Sequence, residues 1–197
     1  MQALARAHPT KPAIPGYVER REEHYIRHGT QCLTANFEVA TGRILPPTLA
    51  TTRTEEDFAN HVLQTVAADL DGQWIFILDN LNTHNSESLV HLVATLCALE
   101  QDLGTKGRRG ILRSKATRAA FLSDPTHRIR FVYTPKHASW LNQIELWFSI
   151  LGRRLLKRGS FTSVDDLQAR VRHFINYFNK TMAKPFTWTY TGRALKV

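Results

Sequence analysis

Trp74-Ile75-Phe76-Ile77-Leu78 is the longest unbroken apolar run in the chain, and it constrains the fold more than any other stretch. A membrane-spanning helix needs about 20 such residues, so this run cannot cross a bilayer. Flanked by Gly72 and by Asp79-Asn80, it reads as a strand. Apolar residues without polar alternation predict burial on both faces, as at the centre of a sheet with helices on each side.

The rest of the pattern supplies such neighbours. Leu33, Ala35, Phe37 and Val39 alternate with Thr34, Asn36 and Glu38, the period of a half-buried strand, and Thr41-Gly42-Arg43 then makes a turn. A helix is expected over 54–68, with Thr54 as cap, Glu55 and Glu56 in its first turn, and Phe58, Val62 and Val66 on one stripe. A second, from Ser86 to Leu99, carries Leu89, Leu92, Val93 and Leu96. Arg128 to Tyr133 reads as another strand, stopped by Pro135. A long helix is expected from Ser139 to Arg158 and a last one from Val164 to Asn179. Residues 1–30, punctuated by Pro9, Pro12, Pro15 and Gly16 and charged by Arg20, Arg21 and Arg27, read as a basic extended arm. This order of strands and helices predicts one α/β domain over 1–197.

Charge narrows the partners. With 26 Lys+Arg against 17 Asp+Glu, the formal net charge is +9. Such a surface attracts polyanions, and clustering of the charge in loops and on one helix favours nucleic acid over membrane. Residues 104–118 hold Lys106, Arg108, Arg109, Arg113, Lys115 and Arg118 with no acidic residue. No secretory signal is visible at the amino end. Cys32 and Cys97 sit in apolar stretches and read as buried, reduced thiols of a cytosolic protein.

Two carboxylates stand out. Asp79 follows the apolar strand directly, where α/β sheets place ligand sites. It reads equally well as a turn aspartate. In Ser139–Phe148, Leu141, Ile144 and Phe148, continued by Leu151 and Leu155, recur as a buried helical stripe. Glu145 stands at the margin of that stripe, and no lysine or arginine lies at 141 or 149 to pair with it. The plain alternative is a solvated helical glutamate. Arg153, Arg154, Lys157 and Arg158 follow on the same helix, a cluster of like charges that a polyanion would relieve. Paired carboxylates ringed by basic residues suit phosphoryl chemistry with magnesium or manganese. His91 is expected to pack against Leu89 and Val93. His84 and His137 flank the acidic motifs without the spacing of a zinc site.

Leu78-Asp79-Asn80-Leu81-Asn82-Thr83-His84 resembles the second catalytic motif of insertion-sequence transposases in the mariner superfamily. The run from Tyr133-Thr134-Pro135-Lys136-His137-Ala138-Ser139 on to Phe148 resembles their third motif. Similarity extends through Arg27-His28-Gly29-Thr30, Ala40-Thr41-Gly42 and Phe178-Asn179-Lys180-Thr181. The resemblance implies a ribonuclease H-like mixed sheet flanked by helices, and a DDE triad holding two divalent ions, magnesium or manganese. On that pattern Asp79 is the second triad member and Glu145 the third. Supporting roles fall to Asn80, His84, His137 and Asn142, and DNA contacts to Arg108, Arg109, Lys136, Arg153, Arg154, Lys157 and Arg158. The expected partners are double-stranded DNA and a second copy of the chain, with no membrane, in a bacterial cytoplasm at the nucleoid.

Two departures from the family pattern follow. The interval from Asp79 to Glu145 is longer than in many relatives, which makes residues 100–127 a basic insertion. The position of the first aspartate falls upstream of Met1, so the first strand is expected to be missing or incomplete. Glu19, Glu22, Glu23 and Glu38 do not replace that aspartate, and the helix-turn-helix region of relatives is absent as well. The expectation is therefore a transposase catalytic domain, inactive as it stands. The alternative is a catalytically dead nucleic-acid-binding remnant. A metal-dependent hydrolase of small phosphorylated substrates fits the charge less well, and a pure interaction module gives Asp79 and Glu145 no purpose.

Overall fold

The computed structural model describes residues 1–9, 11–20, 24–135, 138 and 141–187. Its centre of organisation is a parallel ladder of β7 (Trp74–Leu78) and β8 (Ile129–Tyr133), in register from Trp74↔Ile129 to Leu78↔Tyr133. Three helices pack on one face. Helix α1 (Glu55–Val66) begins with a capping box: Thr54 accepts from the Asp57 amide while the Asp57 carboxylate accepts from the Thr54 amide. Its buried stripe is the expected Phe58, Val62 and Val66. Helix α2 (Glu87–Leu96) is capped by Ser86 and buries Leu89, Val90, Val93 and Ala94. Helix α3 (Lys115–Leu122) begins with a Ser114–Thr117 capping box and buries Phe121 and Leu122. These side chains meet Phe76, Leu78, Ile129 and Phe131 in one core, with the Phe76 and Phe131 rings stacked at 5.1 Å.

The opposite face of the ladder corrects the expectation of burial on both sides. Ile75, Ile77 and Val132 are 56%, 50% and 46% exposed. The helices α1, α2 and α3 all lie on the Phe76–Phe131 side.

A second core gathers Trp147, Leu151, Phe161, Leu167, Val171, Ile175 and Phe178 with Ala3 and Ile44. Helices α4 (Ile144–Leu151) and α5 (Val164–Thr181) supply most of it. Short antiparallel pairs complete it: β1 (Gln2–Arg6) with β2 (Tyr25–Thr30), β3 (Cys32–Thr34) with β6 (Thr48–Ala50), and β4 (Phe37–Glu38) with β5 (Arg43–Ile44). Asn179 of α5 clamps β5, accepting from the Ile44 amide and donating to its carbonyl, both at 2.8 Å. Gly42, at φ +72°, makes the β4–β5 turn; a Cβ there would meet the Lys184 carbonyl oxygen at 1.8 Å.

The chain is thus mixed α/β. Among the described residues its strands form four two-stranded sheets rather than one continuous sheet. Within the stretch expected to be an extended arm, β1 and β2 zip together and bridges Lys11↔Arg20 and Ile14↔Tyr17 lie beyond them. The expected long helix is short. It starts at Ile144 and passes at Gly152 into a π-helical turn, Gly152–Leu156, closed by the Lys157 amide on the Gly152 carbonyl at 2.9 Å. Cys32 and Cys97 are free but only half-buried. No described helix is long and apolar enough to cross a membrane.

Fully buried His61 makes the fold sensitive to acid. Its Nδ1 lies 2.8 Å from the Thr48 hydroxyl, its Nε2 has no hydrogen-bond partner among the described residues, and burial pushes its pKa from 6.5 down to about 4. The unfolded chain binds this proton near pH 6.5 and the folded chain only near pH 4. Stability should therefore be full above that window and fall as pH drops through it, by on the order of 3 kcal/mol. His61→Gln should flatten that part of the urea-unfolding profile. An unchanged slope in the variant would assign the acid sensitivity elsewhere.

Candidate active site

The register of the ladder places the site. Because Leu78 lies opposite Tyr133 in a parallel pair, Asp79 and Thr134 leave the sheet side by side at its carboxyl end. The Thr134 amide continues the ladder to the Leu78 carbonyl at 2.8 Å, and Pro135, with no amide hydrogen, ends it. Asn80 then ties the two outgoing loops together, its Nδ2 donating to the Thr134 carbonyl at 2.6 Å.

Asp79 is half-buried and tightly oriented. Its Oδ1 accepts from the Leu81 amide at 3.1 Å and lies 2.7 Å from His84 Nδ1. An ionised carboxylate only accepts, so Nδ1 carries the proton in this pair. The His84 ring packs on Phe58 at 4.4 Å between centroids. Its backbone carbonyl accepts from the Tyr133 hydroxyl at 2.9 Å, and burial holds that phenol far above its ordinary pKa, so it remains a donor. Asp79 is thus both the turn aspartate and a carboxylate at the strand end: one oxygen organises the turn, and Oδ2 takes no hydrogen bond from the described residues.

Glu145 lies in the first turn of α4, where the helix dipole favours a carboxylate. Asn142 shapes this start, its side-chain oxygen 3.4 Å from the Ile144 amide and its carbonyl 3.1 Å from the Glu145 amide. Glu145 is exposed rather than at the margin of the core. Trp147 and Leu151 are the buried pair of α4, with Ile144 and Phe148 only partly covered, so the core stripe is rotated from the one expected. Among the described residues no hydrogen bond or ion pair joins the Asp79 group to Glu145. Lys136 and His137, between the two, lie outside the described residues.

The basic residues divide into two sets. Arg153, Arg154 and Arg158 line one cleft of about 600 Å³ with Ile150 and Met182, and Lys157 is exposed beside them. In the 104–118 stretch, by contrast, Arg109 pairs with Asp102 at 2.5 Å and holds that carboxyl below its usual range. Lys106 reaches Glu55 at 3.5 Å and Glu87 at 3.3 Å. Arg108 is exposed. His91, expected to pack, instead faces solvent 3.9 Å from Glu87. Sequence reasoning did not single out Phe58, Tyr133 or Lys115 as parts of the site. Their spacing carries no signal for it, since each arrives from another element.

Asp79 and Glu145 offer hard carboxylate oxygens of the kind magnesium and manganese take. Such ions keep several waters and use one or two carboxylates plus substrate phosphates. Among the described residues no group of three or more His, Cys, Asp or Glu gathers to hold an ion. The chemistry fits a divalent metal whose shell is completed by water and phosphate.

A mixed α/β chain with an oriented carboxylate at the carboxyl end of a parallel ladder has the layout of an α/β ligand-binding protein. The sequence profile of the DDE superfamily endonucleases matches residues 3–168, and the chain belongs to that family. No curated protein and no solved structure gives a significant match. Membership suggests a transposase-like nuclease function and implies DNA as the substrate class, and domains of this family generally use divalent metals.

The bond joining the two loops should be measurable. Asn80→Leu leaves the carbonyl of buried Thr134 without its donor, and an unpaired buried acceptor costs about 1–3 kcal/mol. Urea unfolding checks this, and an unchanged midpoint would mean that water replaces the amide.

Proposed function

We propose that this chain is the catalytic portion of a mariner-superfamily transposase from a bacterial insertion sequence. It would cut double-stranded DNA at the element's ends and join the freed 3′ end to target DNA. The observation that carries the reading is Asp79, locked at the carboxyl end of β7 within a region matching the DDE endonucleases. Asp79 and Glu145 are assigned as two of the metal-holding carboxylates. When bound, magnesium or manganese would polarise the scissile phosphate and stabilise the attacking and leaving oxygens. The chain's own residues bind and orient: Arg153, Arg154, Lys157 and Arg158 hold the phosphate backbone, joined by Arg108 and Lys136. His84 keeps the Asp79 carboxylate in one rotamer. Arg109, engaged with Asp102, would bind DNA only by exchanging that partner. A ribonuclease H-like sheet, a homodimeric assembly and action at the bacterial nucleoid belong to the same proposal.

A second reading, a nucleic-acid-binding remnant without activity, is favoured by one observation: among the described residues no group of three or more His, Cys, Asp or Glu side chains gathers to hold a metal. The two readings meet in one proposal. A further carboxylate enters on a strand along the free edge of β7, and these 197 residues alone do not cleave DNA. The pairing of β7 with β8 only, among the described residues, supports it.

Binding should be sequence-tolerant and steeply dependent on salt. Four phosphate contacts predict a loss of affinity on the order of a hundredfold between about 50 and 200 mM salt. Neutralising Arg153, Arg154, Lys157 and Arg158 together should remove most of that slope, and a binding constant flat in salt would end the electrostatic argument. Cleavage is tested with magnesium or manganese on DNA bearing the element's ends, using this chain and one to which a strand ending on an aspartate is added. The extended form should nick DNA, and Asp79→Ala or Glu145→Ala should abolish nicking. Nicking by the 197 residues themselves that depends on Asp79 would show that a carboxylate within them completes the site.

A further inference from the structure

The loop leaving β7, from Asp79 to Asn85, is held by a helix from a distant part of the sequence. Lys115, the first residue of α3, donates from Nζ to the Asn80 carbonyl at 2.6 Å and to the Asn82 side-chain oxygen at 3.1 Å. Along the same helix Arg118 donates from Nε to the Asn85 carbonyl at 2.7 Å and from Nη1 to the Leu112 carbonyl at 3.1 Å. Two basic side chains of one helix therefore fasten both ends of the loop. Between them, the Leu81 carbonyl accepts from the His84 amide and the His84 carbonyl from Tyr133.

Two features mark this as more than packing. Lysine at the first position of a helix opposes the positive end of the helix dipole, so its place there needs compensation. The loop acceptors provide it through charge-assisted hydrogen bonds, roughly twice as strong as neutral ones. Neither Lys115 nor Arg118 has a carboxylate partner among the described residues, whereas Lys106 and Arg109 of the same segment find them in Glu55, Glu87 and Asp102. Helix α3 is itself a fixed post, capped by Ser114 and anchored by buried Leu122.

We propose that Lys115, seconded by Arg118, is the positioning residue of the Asp79 site, fixing the loop so that one carboxylate oxygen faces His84 and Leu81 and the other stays free. The proposal rests on the reading of Asp79 as a metal-holding carboxylate. It gives these two residues of the basic 104–118 stretch a role in bracing the site.

The test uses the full chain and two readouts: hydrogen exchange of the 80–85 loop, and Mn²⁺ affinity by water-proton relaxation. Lys115→Met should speed loop exchange about tenfold while α5 exchanges as before, and should weaken Mn²⁺ binding about tenfold, the range expected when a ligand's support is removed. Lys115→Arg, which keeps donors for both acceptors, should restore both. Asp79→Asn should weaken Mn²⁺ binding without loosening the loop. Unchanged loop exchange in Lys115→Met overturns the proposal. So does faster exchange with undiminished Mn²⁺ affinity, if Asp79→Asn does weaken binding, because Lys115 is then only a strut. Mn²⁺ binding indifferent to Asp79→Asn overturns the metal reading, and the positioning role with it; loop exchange still reports separately whether Lys115 holds the loop. Should Lys115→Met not fold, Asn82→Ala, which removes one acceptor, is read by the same criteria.

Discussion

The parallel pairing of β7 with β8 is the constraint on which the rest depends. Parallel strands cannot be joined by a tight turn; they need a crossover long enough to carry the chain back to the starting end. Here the crossover holds α2, the basic turn around Arg109 and α3. It buries the inner face of the ladder and brings α3 back beside the point where β7 ends. A register that sets Leu78 against Tyr133 also forces both outgoing loops to one end of the sheet, where Asn80 joins them. A long interval between two acidic motifs is therefore not slack chain. It contains the helix that holds the first motif's loop.

The same topology explains how a net charge of +9 is distributed. Four basic residues in the crossover lie close to the protein's own acceptors: Lys106 between α1 and α2 carboxylates, Arg109 on Asp102, Lys115 and Arg118 on loop carbonyls. Arg153, Arg154, Lys157 and Arg158, just after α4, have no such neighbours among the described residues. The π turn at Gly152 sets three arginine side chains around one cleft with an apolar edge of Ile150 and Met182. Exposed like charges repel unless counterions or a polyanion screen them, which makes this cleft, rather than the crossover, the main electrostatic claim on DNA.

How much of this was legible in the sequence depends on whether the deciding force was local. Helix α1 was legible because Thr54, the acidic first turn and the Phe58–Val62–Val66 stripe all act within one helix. The strand Trp74–Leu78 and its terminal Asp79 were legible from a single run. Which faces it buries was not, since Ile75 and Ile77 are as apolar as Phe76 but lie on the side away from the helices. Helix α3 went unread because eight residues give only two turns of periodicity, and its signals, Ser114 with Thr117 and Phe121-Leu122, sit inside a run dominated by charge. Around Glu145 the period of 3.6 was read correctly but not its phase: Trp147, too large to leave in water, took the core position expected for its neighbours. The ties from Lys115 and Tyr133 to the site were beyond any spacing rule, because tertiary contacts alone create them.

The two carboxylates differ in a way that bears on how the proposed site would work. Asp79 is held by a turn, a histidine and a braced loop; Glu145 stands exposed on the first turn of a short helix, with Asn142 shaping its entry. Fixing a side chain costs conformational entropy before any ligand arrives, so a site with one fixed and one free carboxylate is only half preorganised. A divalent ion meeting so few protein oxygens completes its shell with water and with substrate phosphate. Under the proposed function, ion and DNA then share ligands, and each raises the affinity of the other by the same factor, as linkage requires. The arginine cleft would thus contribute to metal binding without touching the metal, by holding in place the phosphate that the ion needs.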